Sequence, residues 1–346
     1  MKHKQSKKII QGFWETLPRP FFCLAPMADV TDQVFRKIIA KYSRHSFSKG
    51  GPDVFWTEFV SADGLQSLSR KKLLVDLVYE EKERPIVAQI FGSNTENMRK
   101  TAQLCCEIGF DGIDINMGCP DKVIEKQGCG AGHIKNKTHA LEIISAVKEG
   151  VLLSGISVPV SVKTRIGYNN IEIDEWLSVL LQGGITTLIV HMRTRKEMSK
   201  ASAHWDLMPR IIALRNKISP ETLVVGNGDV ISIRQGESLA HKTGCDGVML
   251  GRAIFGNPWL FDACKKNISI EEKLKVMIEH TYLYEKILGS YKNFSIMKKH
   301  YKAYANGFDG AKELRVALMS ANTAREIEII TKNFLNEKCD FNPPIE

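Results

Sequence analysis

The stretch Asp114-Ile115-Asn116-Met117-Gly118-Cys119-Pro120 has the residue types of a reactive centre. An apolar run ends there in an amide, a thiol and a proline. The glycine-rich segment Gly128-Cys129-Gly130-Ala131-Gly132 follows. A strand buried on both faces is built from Val and Ile, so polar groups at its exit suggest a site. Most free cysteines are small core hydrophobes, and Cys23, Cys105, Cys106, Cys245 and Cys264 are read that way. Cys119 differs because it sits at a strand exit, between Gly118 and Pro120. A thiol whose task is to donate a proton needs no lowered pKa. Cys129 is a rival on the same loop, and spacing alone does not choose between them.

Lys163 and His191 end two further apolar runs. A lysine so placed can form a Schiff base, pair with a carboxylate, or put positive charge beside a cofactor ring. A lone histidine is usually a hydrogen-bonded core residue, but Lys163, Gln89 and an anion site nearby favour a ligand role. That anion site is read from Gly226-Asn227-Gly228-Asp229 and Leu250-Gly251-Arg252-Ala253. Glycines let backbone N–H groups approach a phosphate, and an arginine adds a fork of donors. Lys, His and Gln suit a flavin, whose pyrimidine edge takes donors and whose reduced form carries charge near N1. The Cys and His residues show no zinc spacing and the acids are scattered, so no metal is expected.

The elements that position these groups follow a rhythm. Eight short apolar runs span Phe22–Met27, Val54–Phe59, Ile86–Phe91, Gly112–Asn116, Val158–Thr164, Thr187–His191, Leu223–Asn227 and Gly247–Gly251. Helical spacing lies between them. Thr31 to Tyr42 is expected with a threonine cap, and Asn94 to Ile108, Thr138 to Glu149 and Asp174 to Leu181 follow. Eight β–α pairs over ~240 residues predict an α/β chain folded as a (β/α)8 TIM barrel. In that fold the chemistry collects at the C-terminal strand ends, and the loops after strands seven and eight commonly bind phosphate. A doubly wound sheet is the alternative, but no Gly-x-Gly-x-x-Gly follows the first run. Residues 1–20 are expected to be a basic arm, 21–263 the barrel and 264–346 a small all-helical domain. Within that last part Ile270–Tyr284 and Glu313–Ile330 have helical spacing. It also interleaves Lys298, Lys299, His300, Lys302, Lys312 and Arg315 with Tyr291, Phe294, Tyr301, Tyr304 and Phe308. Such interleaving suits RNA, although the aromatics could instead be the domain's own core.

The net charge of the 346-residue chain is +9, which fits a polyanionic partner. Eight cysteines show no Cys-x-x-Cys pair and no even framework, so free thiols in a reducing cytoplasm are expected. The basic opening has no apolar stretch behind it, and no run of ~18 apolar residues predicts a membrane span. A monomer is expected.

The ordered set Ala25-Pro26-Met27-Ala28-Asp29-Val30-Thr31-Asp32, Thr57-Glu58, Gln89-Ile90-Phe91-Gly92, Asp114–Pro120, Lys163-Thr164-Arg165-Ile166-Gly167, His191-Met192-Arg193-Thr194, Asn227-Gly228-Asp229, Gly251-Arg252 and Gly256-Asn257-Pro258-Trp259 resembles the tRNA-dihydrouridine synthase family. The resemblance covers roughly residues 21–263. It implies a flavin-dependent barrel with a helical C-terminal domain, FMN as cofactor, NADPH as reductant and tRNA as substrate. Hydride would pass from flavin N5 to C6 of a uridine, and a cysteine would protonate C5. The cysteine of the Asn-Met-Gly-Cys-Pro motif has that role, which selects Cys119 over Cys129. Pro26, Met27, Ala28, Gln89, Lys163, His191, Asn227, Gly228, Asp229, Gly251 and Arg252 fall on cofactor positions. Asn116 and Arg193 fall near the uracil, and Lys122 and Arg165 are grouped with them on the substrate side.

This chain also departs from the family pattern. The loop Arg195-Lys196-Glu197-Met198-Ser199-Lys200-Ala201-Ser202-Ala203-His204-Trp205 replaces a Gln-Gly-Tyr-rich one. Cys129 and His133 stand where small or aliphatic residues are usual, and Ser46–Asp53 is insertion-like. Two other readings compete. A flavin oxidoreductase of a free pyrimidine would share the barrel but has no use for the basic tail. A non-catalytic tRNA-binding barrel would hold no flavin.

Overall fold

The computed structural model describes Ile9 and residues 11–46 and 50–340. The expected arm with Lys2, Lys4, Lys7 and Lys8, and residues 47–49 of the insertion-like loop, lie outside the described residues. The chain forms two compact units. One comprises the residues up to Thr31 with Pro52–Gly251, the other Asp32–Gly51 with the residues from Arg252 on. These limits differ from the 263/264 boundary read from the sequence. The first barrel helix groups with the C-terminal helices, and the reason lies in its side chains, described below.

The first unit is the expected barrel. Its strands are β1 (Phe21–Leu24), β2 (Phe55–Trp56), β3 (Val60–Ser61), β4 (Ile86–Phe91), β5 (Gly112–Met117), β6 (Val160–Arg165), β7 (Thr187–His191), β8 (Leu223–Asn227) and β9 (Gly247–Leu250). All pair in parallel, in the order β1-β9-β8-β7-β6-β5-β4-β2, with β3 also on β4. A parallel bridge from Cys23 to Val54 joins the two ends. All six residues of β5 are buried. Each large apolar side chain so buried contributes roughly 1.5–3 kcal/mol. Trp14, Phe21, Trp56, Val87, Ile189, Val225 and Met249 form one core cluster.

The run Val54–Phe59, read as one strand, is two. Thr57 interrupts it: its hydroxyl accepts the Gln89 N–H at 3.1 Å and donates to Glu58 O at 2.8 Å. A side chain thus takes a ladder donor, and the chain resumes pairing at Val60. The helix Thr95–Ile108 starts on Asn94, which accepts the Asn97 N–H at 2.9 Å, and stops at left-handed Gly109. In place of one helix over Asp174–Leu181, a π-turn, Ile173–Leu177, leads into Ser178–Gln182.

The second unit is helical, with Gln33–Tyr42, Ile270–Leu288, Lys298–Tyr304, Ala311–Ser320 and Ala324–Asp340. The cap of its first helix is Asp32, not Thr31. Asp32 accepts the Val34 and Phe35 N–H groups, both at 2.9 Å. Lys41 and Tyr42 bond Glu279 at 2.7 and 2.6 Å, and Ser43 donates to Pro258 O at 2.6 Å. Phe35 stacks on His280 with centroids 5.0 Å apart. These contacts are what bind the helix to this unit. The expected helix Glu313–Ile330 is broken at Ala321-Asn322-Thr323. Thr323 Oγ1 accepts the Glu326 N–H and Glu326 accepts the Asn322 N–H, so the polar pair begins a new helix. Of the aromatics left open between RNA contact and core, Tyr301 and Tyr304 are core residues, while Tyr291 stays exposed. Among the described residues no helix is long and apolar enough to cross a membrane.

His280 and His300 pack against each other in this core at 4.7 Å, and among the described residues neither His300 ring nitrogen has a hydrogen-bond partner. Burial holds His280 down to about 3. Burial, then His280, then Lys299 hold His300 well below the ordinary range. Unfolded, both take a proton near pH ~6.5. The unit's stability is therefore full above that pH and falls as pH drops, by roughly 1.4 kcal/mol per pH unit per histidine. The urea midpoint should be lower at pH 5 than at pH 7, and His300→Leu should shrink the difference. A midpoint that does not change with pH would contradict this.

Candidate active site

Parallel register aligns the polar strand exits. Gln89 lies opposite Asp114, Asn116 opposite Lys163, Arg165 opposite His191, and His191 opposite Asn227. A hydrogen-bonded chain crosses β4, β5 and β6. Asp114 accepts from Gln89 Nε2 and from Ser161 Oγ, both at 2.6 Å. Gln89 Oε1 then accepts from Asn116 Nδ2 at 3.0 Å. Asn116 Oδ1 accepts the N–H groups of Gly118 and Cys119 at 3.1 and 2.9 Å. The buried carboxylate therefore fixes how both amides point, and Asn116 shapes the turn that carries the thiol. Burial pushes Asp114 up to about 6, against Gln89, Ser161 and Lys163, which favour its ionised form.

Cys119 is half-buried. Burial pushes its thiol pKa up, and the Asp121 charge adds to this. The Asp121 N–H and the cations of Arg165 and Lys163 pull the other way. The thiol is thus protonated at neutral pH. Its carbonyl accepts the Ala131 N–H at 2.9 Å. Gly130 makes that return possible: its φ is +57° and a Cβ there would meet Cys119 O at 2.7 Å. Cys129, by contrast, is fully buried with its sulfur 3.5 Å from Gln127 O. His133 is buried too, its Nε2 on Gly92 O. Asn116→Ala should leave two loop N–H groups without an acceptor. Each costs about 1–3 kcal/mol, so amide exchange at Gly118 and Cys119 should accelerate at least tenfold. Unchanged exchange there would show the turn holds without Asn116.

Lys163 is half-buried and donates to Asn227 Oδ1 at 3.3 Å. Burial, with Arg165 adding to it, brings it down to about 8, while Asp114 and Cys119 oppose the shift. Asn227 donates to Met249 O at 2.8 Å. Arg193 is buried. Its Nε reaches Ala201 O at 2.6 Å, its Nη1 reaches His191 Nε2 at 3.2 Å, and its Nη2 pairs with Asp229. A guanidinium can only donate, so His191 Nε2 accepts and its proton sits on Nδ1. Gly228 has φ +131°, and a Cβ there would meet Ala203 Cβ at 2.8 Å. Arg165 is also buried and braces loops: Nε on Gly118 O at 2.7 Å, Nη1 on Thr194 O at 3.1 Å and on Met198 O at 3.0 Å.

Pro26 and Met27 are half-buried and Ala28 is exposed. Gly251 lies beside Met27, a Cβ there reaching the Met27 sulfur at 3.7 Å. Arg252 opens a short 3-10 turn at the start of the second unit. Lys122 is exposed and begins the helix Lys122–Lys126. Sequence reasoning assigned no role to Asp114, Ser161, Glu125 or Tyr168. Asp114 had a signal: it stands two residues before Asn116, so both point to one face of a strand.

The family model for dihydrouridine synthase matches residues 23–339. The chain is 40% identical over 338 residues to a "probable tRNA-dihydrouridine synthase 2" of Bacillus subtilis (strain 168), covering 95% of this chain and 98% of that protein. It is 41% identical over 332 residues to a "probable tRNA-dihydrouridine synthase" of Staphylococcus epidermidis (strain RP62A), covering 94% and 96%. Among solved structures it resembles histamine dehydrogenase from Rhizobium sp. 4-9, with TM-score 0.50 and 12% identity over 80% of this chain. The chain spans 50% of that structure, and at this identity the likeness shows the barrel fold alone. A matched model across barrel and helices, with near full-length relatives, places the chain in the dihydrouridine synthase family.

Proposed function

We propose that this protein reduces a uridine of tRNA to 5,6-dihydrouridine, as a cytoplasmic monomer, with FMN as cofactor and NADPH as reductant. The observation that carries the reading is the half-buried thiol of Cys119, on a turn that Asn116 Oδ1 holds at the exit of β5, where Asn116 lies opposite Lys163. The donor set fits a flavin. Among the described residues Lys163 has one hydrogen-bond acceptor, Asn227, so two of its N–H groups can serve a ring. Gln89 and His191 add donors, and the turns at Gly228-Asp229 and Gly251-Arg252, with Pro26, Met27 and Ala28, would take the rest of the cofactor.

When bound, the reduced cofactor supplies the hydride that adds to C6 of the pyrimidine. This chain's residues complete the reaction. Addition at C6 leaves negative charge on C5 and O4, and the Cys119 Sγ–H delivers its proton to C5. Solvent then reprotonates the sulfur, whose transient charge Lys163 and Arg165 stabilise. Asn116 holds the turn from which the thiol reaches the base. Arg165 and Arg193, both buried, fix the loops around the base, and exposed Lys122 meets the RNA backbone. Exposed Lys302, Lys312 and Tyr291 of the helical unit would hold the body of the tRNA. The target base must leave its stack to reach a barrel mouth.

The test is direct. The purified protein should be yellow and, with NADPH, should form dihydrouridine in tRNA from cells lacking the gene. Turnover of a free pyrimidine with no change in tRNA would refute the proposal.

A further inference from the structure

Loops from three consecutive strands meet at one carboxylate. Glu125 lies on the helix Lys122–Lys126, in the loop that carries Cys119. Arg195, from the loop after β7, forms a two-pronged pair with it, Nε to Oε1 at 2.5 Å and Nη2 to Oε2. Tyr168, from the loop after β6, donates its hydroxyl to Glu125 Oε2 at 3.3 Å. Two cations lie over the Tyr168 ring, Lys135 at 4.1 Å and Arg195 at 5.4 Å from its centroid.

Burial decides whether this pair matters. Exposed ion pairs contribute little, because water and salt screen them. Here the Glu125 side chain is only 8% exposed and that of Arg195 19%. A five-residue helix is too short to be stable alone, so it depends on tertiary anchors. Lys122, Val123 and Lys126 on that helix face solvent, and Ile124 packs near Gly130. Glu125 is then its polar anchor to the rest of the rim. Arg195 belongs to the segment that departs from the family pattern.

We propose that the Glu125–Arg195 pair is a latch that holds the Cys119 loop in its proton-donating position. It makes both residues positioning residues for the thiol. The inference rests on the reading of Cys119 as the proton donor. A base must enter the mouth before the thiol closes on it, and the latch sets how often the loop stands open. Glu125 and Arg195 touch neither base nor cofactor in this scheme.

The experiment measures iodoacetamide labelling of the Cys119 peptide in the flavin-loaded protein, alongside dihydrouridine formation. Glu125→Gln and Arg195→Gln should each speed labelling about tenfold, as expected for a lost pair of charge-assisted hydrogen bonds. Each should lower kcat more than it changes KM for tRNA. The double variant should label about as fast as the more affected single one and well short of the sum, because the shared pair is lost only once, while Arg195 Nη2 also reaches Pro120 O at 3.5 Å. Arg195→Lys, which keeps the charge but not the fork, should fall between, and serves if Arg195→Gln does not fold. Wild-type labelling rates in both single variants, or single effects that simply add in the double, would overturn the latch. If the wild-type protein makes no dihydrouridine, the reaction assignment fails, while the labelling rates still decide the latch.

Discussion

Cys119→Ala is expected to abolish dihydrouridine formation, by about 10²–10⁴-fold, while the protein still purifies with its yellow cofactor. The thiol is half-buried, and burial keeps it in its acid form at neutral pH. A donor needs its proton, so the raised pKa suits the role. Serine at the position should recover little, because a hydroxyl is a far weaker acid than a thiol. Cys129→Ala is the contrast. Its sulfur is buried against Gln127 O, and losing it should leave the rate within about threefold, the cost of a modest packing change. Mass spectrometry of tRNA nucleosides reads both variants. Product from Cys119→Ala at the wild-type rate would remove this thiol from the mechanism.

Lys163→Met should weaken flavin binding by at least about 30-fold, equivalent to ~2 kcal/mol. Methionine keeps the apolar stem and removes the ammonium, with its charge and its N–H donors, including the one on Asn227. Lys163 stays mostly protonated at pH 7, since burial brings it down only to about 8. Its charge favours the ionised form of Asp114, and without it the buried carboxylate loses that counter-charge. The lost energy is that of a charged donor to the ring plus this imbalance. Fluorescence of released flavin on titration measures the affinity, and circular dichroism checks the fold. An unchanged affinity would place the ring elsewhere.

The barrel was legible because its signal is repetitive. Short Val- and Ile-rich runs closing on Lys163, His191 or Asn227 name a buried strand and the end at which its polar groups collect. The Cys119 turn was legible for the same reason. Side chains that replace backbone partners were harder to see. Thr57 breaks a strand whose apolar pattern runs through it, and Asp32 displaces Thr31 as a cap one residue away. The sequence left Tyr301 and Tyr304 open between RNA contact and core because lysines surround them, and in the helix they face inward with His280 and His300. The Glu125–Arg195 pair joins residues far apart in the chain, and no local pattern announces it.

The most direct test follows the proton that Cys119 donates. When the reaction runs in D2O, the thiol exchanges with solvent and carries deuterium to C5. Dihydrouridine isolated from the tRNA should then hold deuterium at C5 on one face only, as read by NMR. Label spread equally over both faces of C5, or none at C5, would contradict delivery by a fixed thiol.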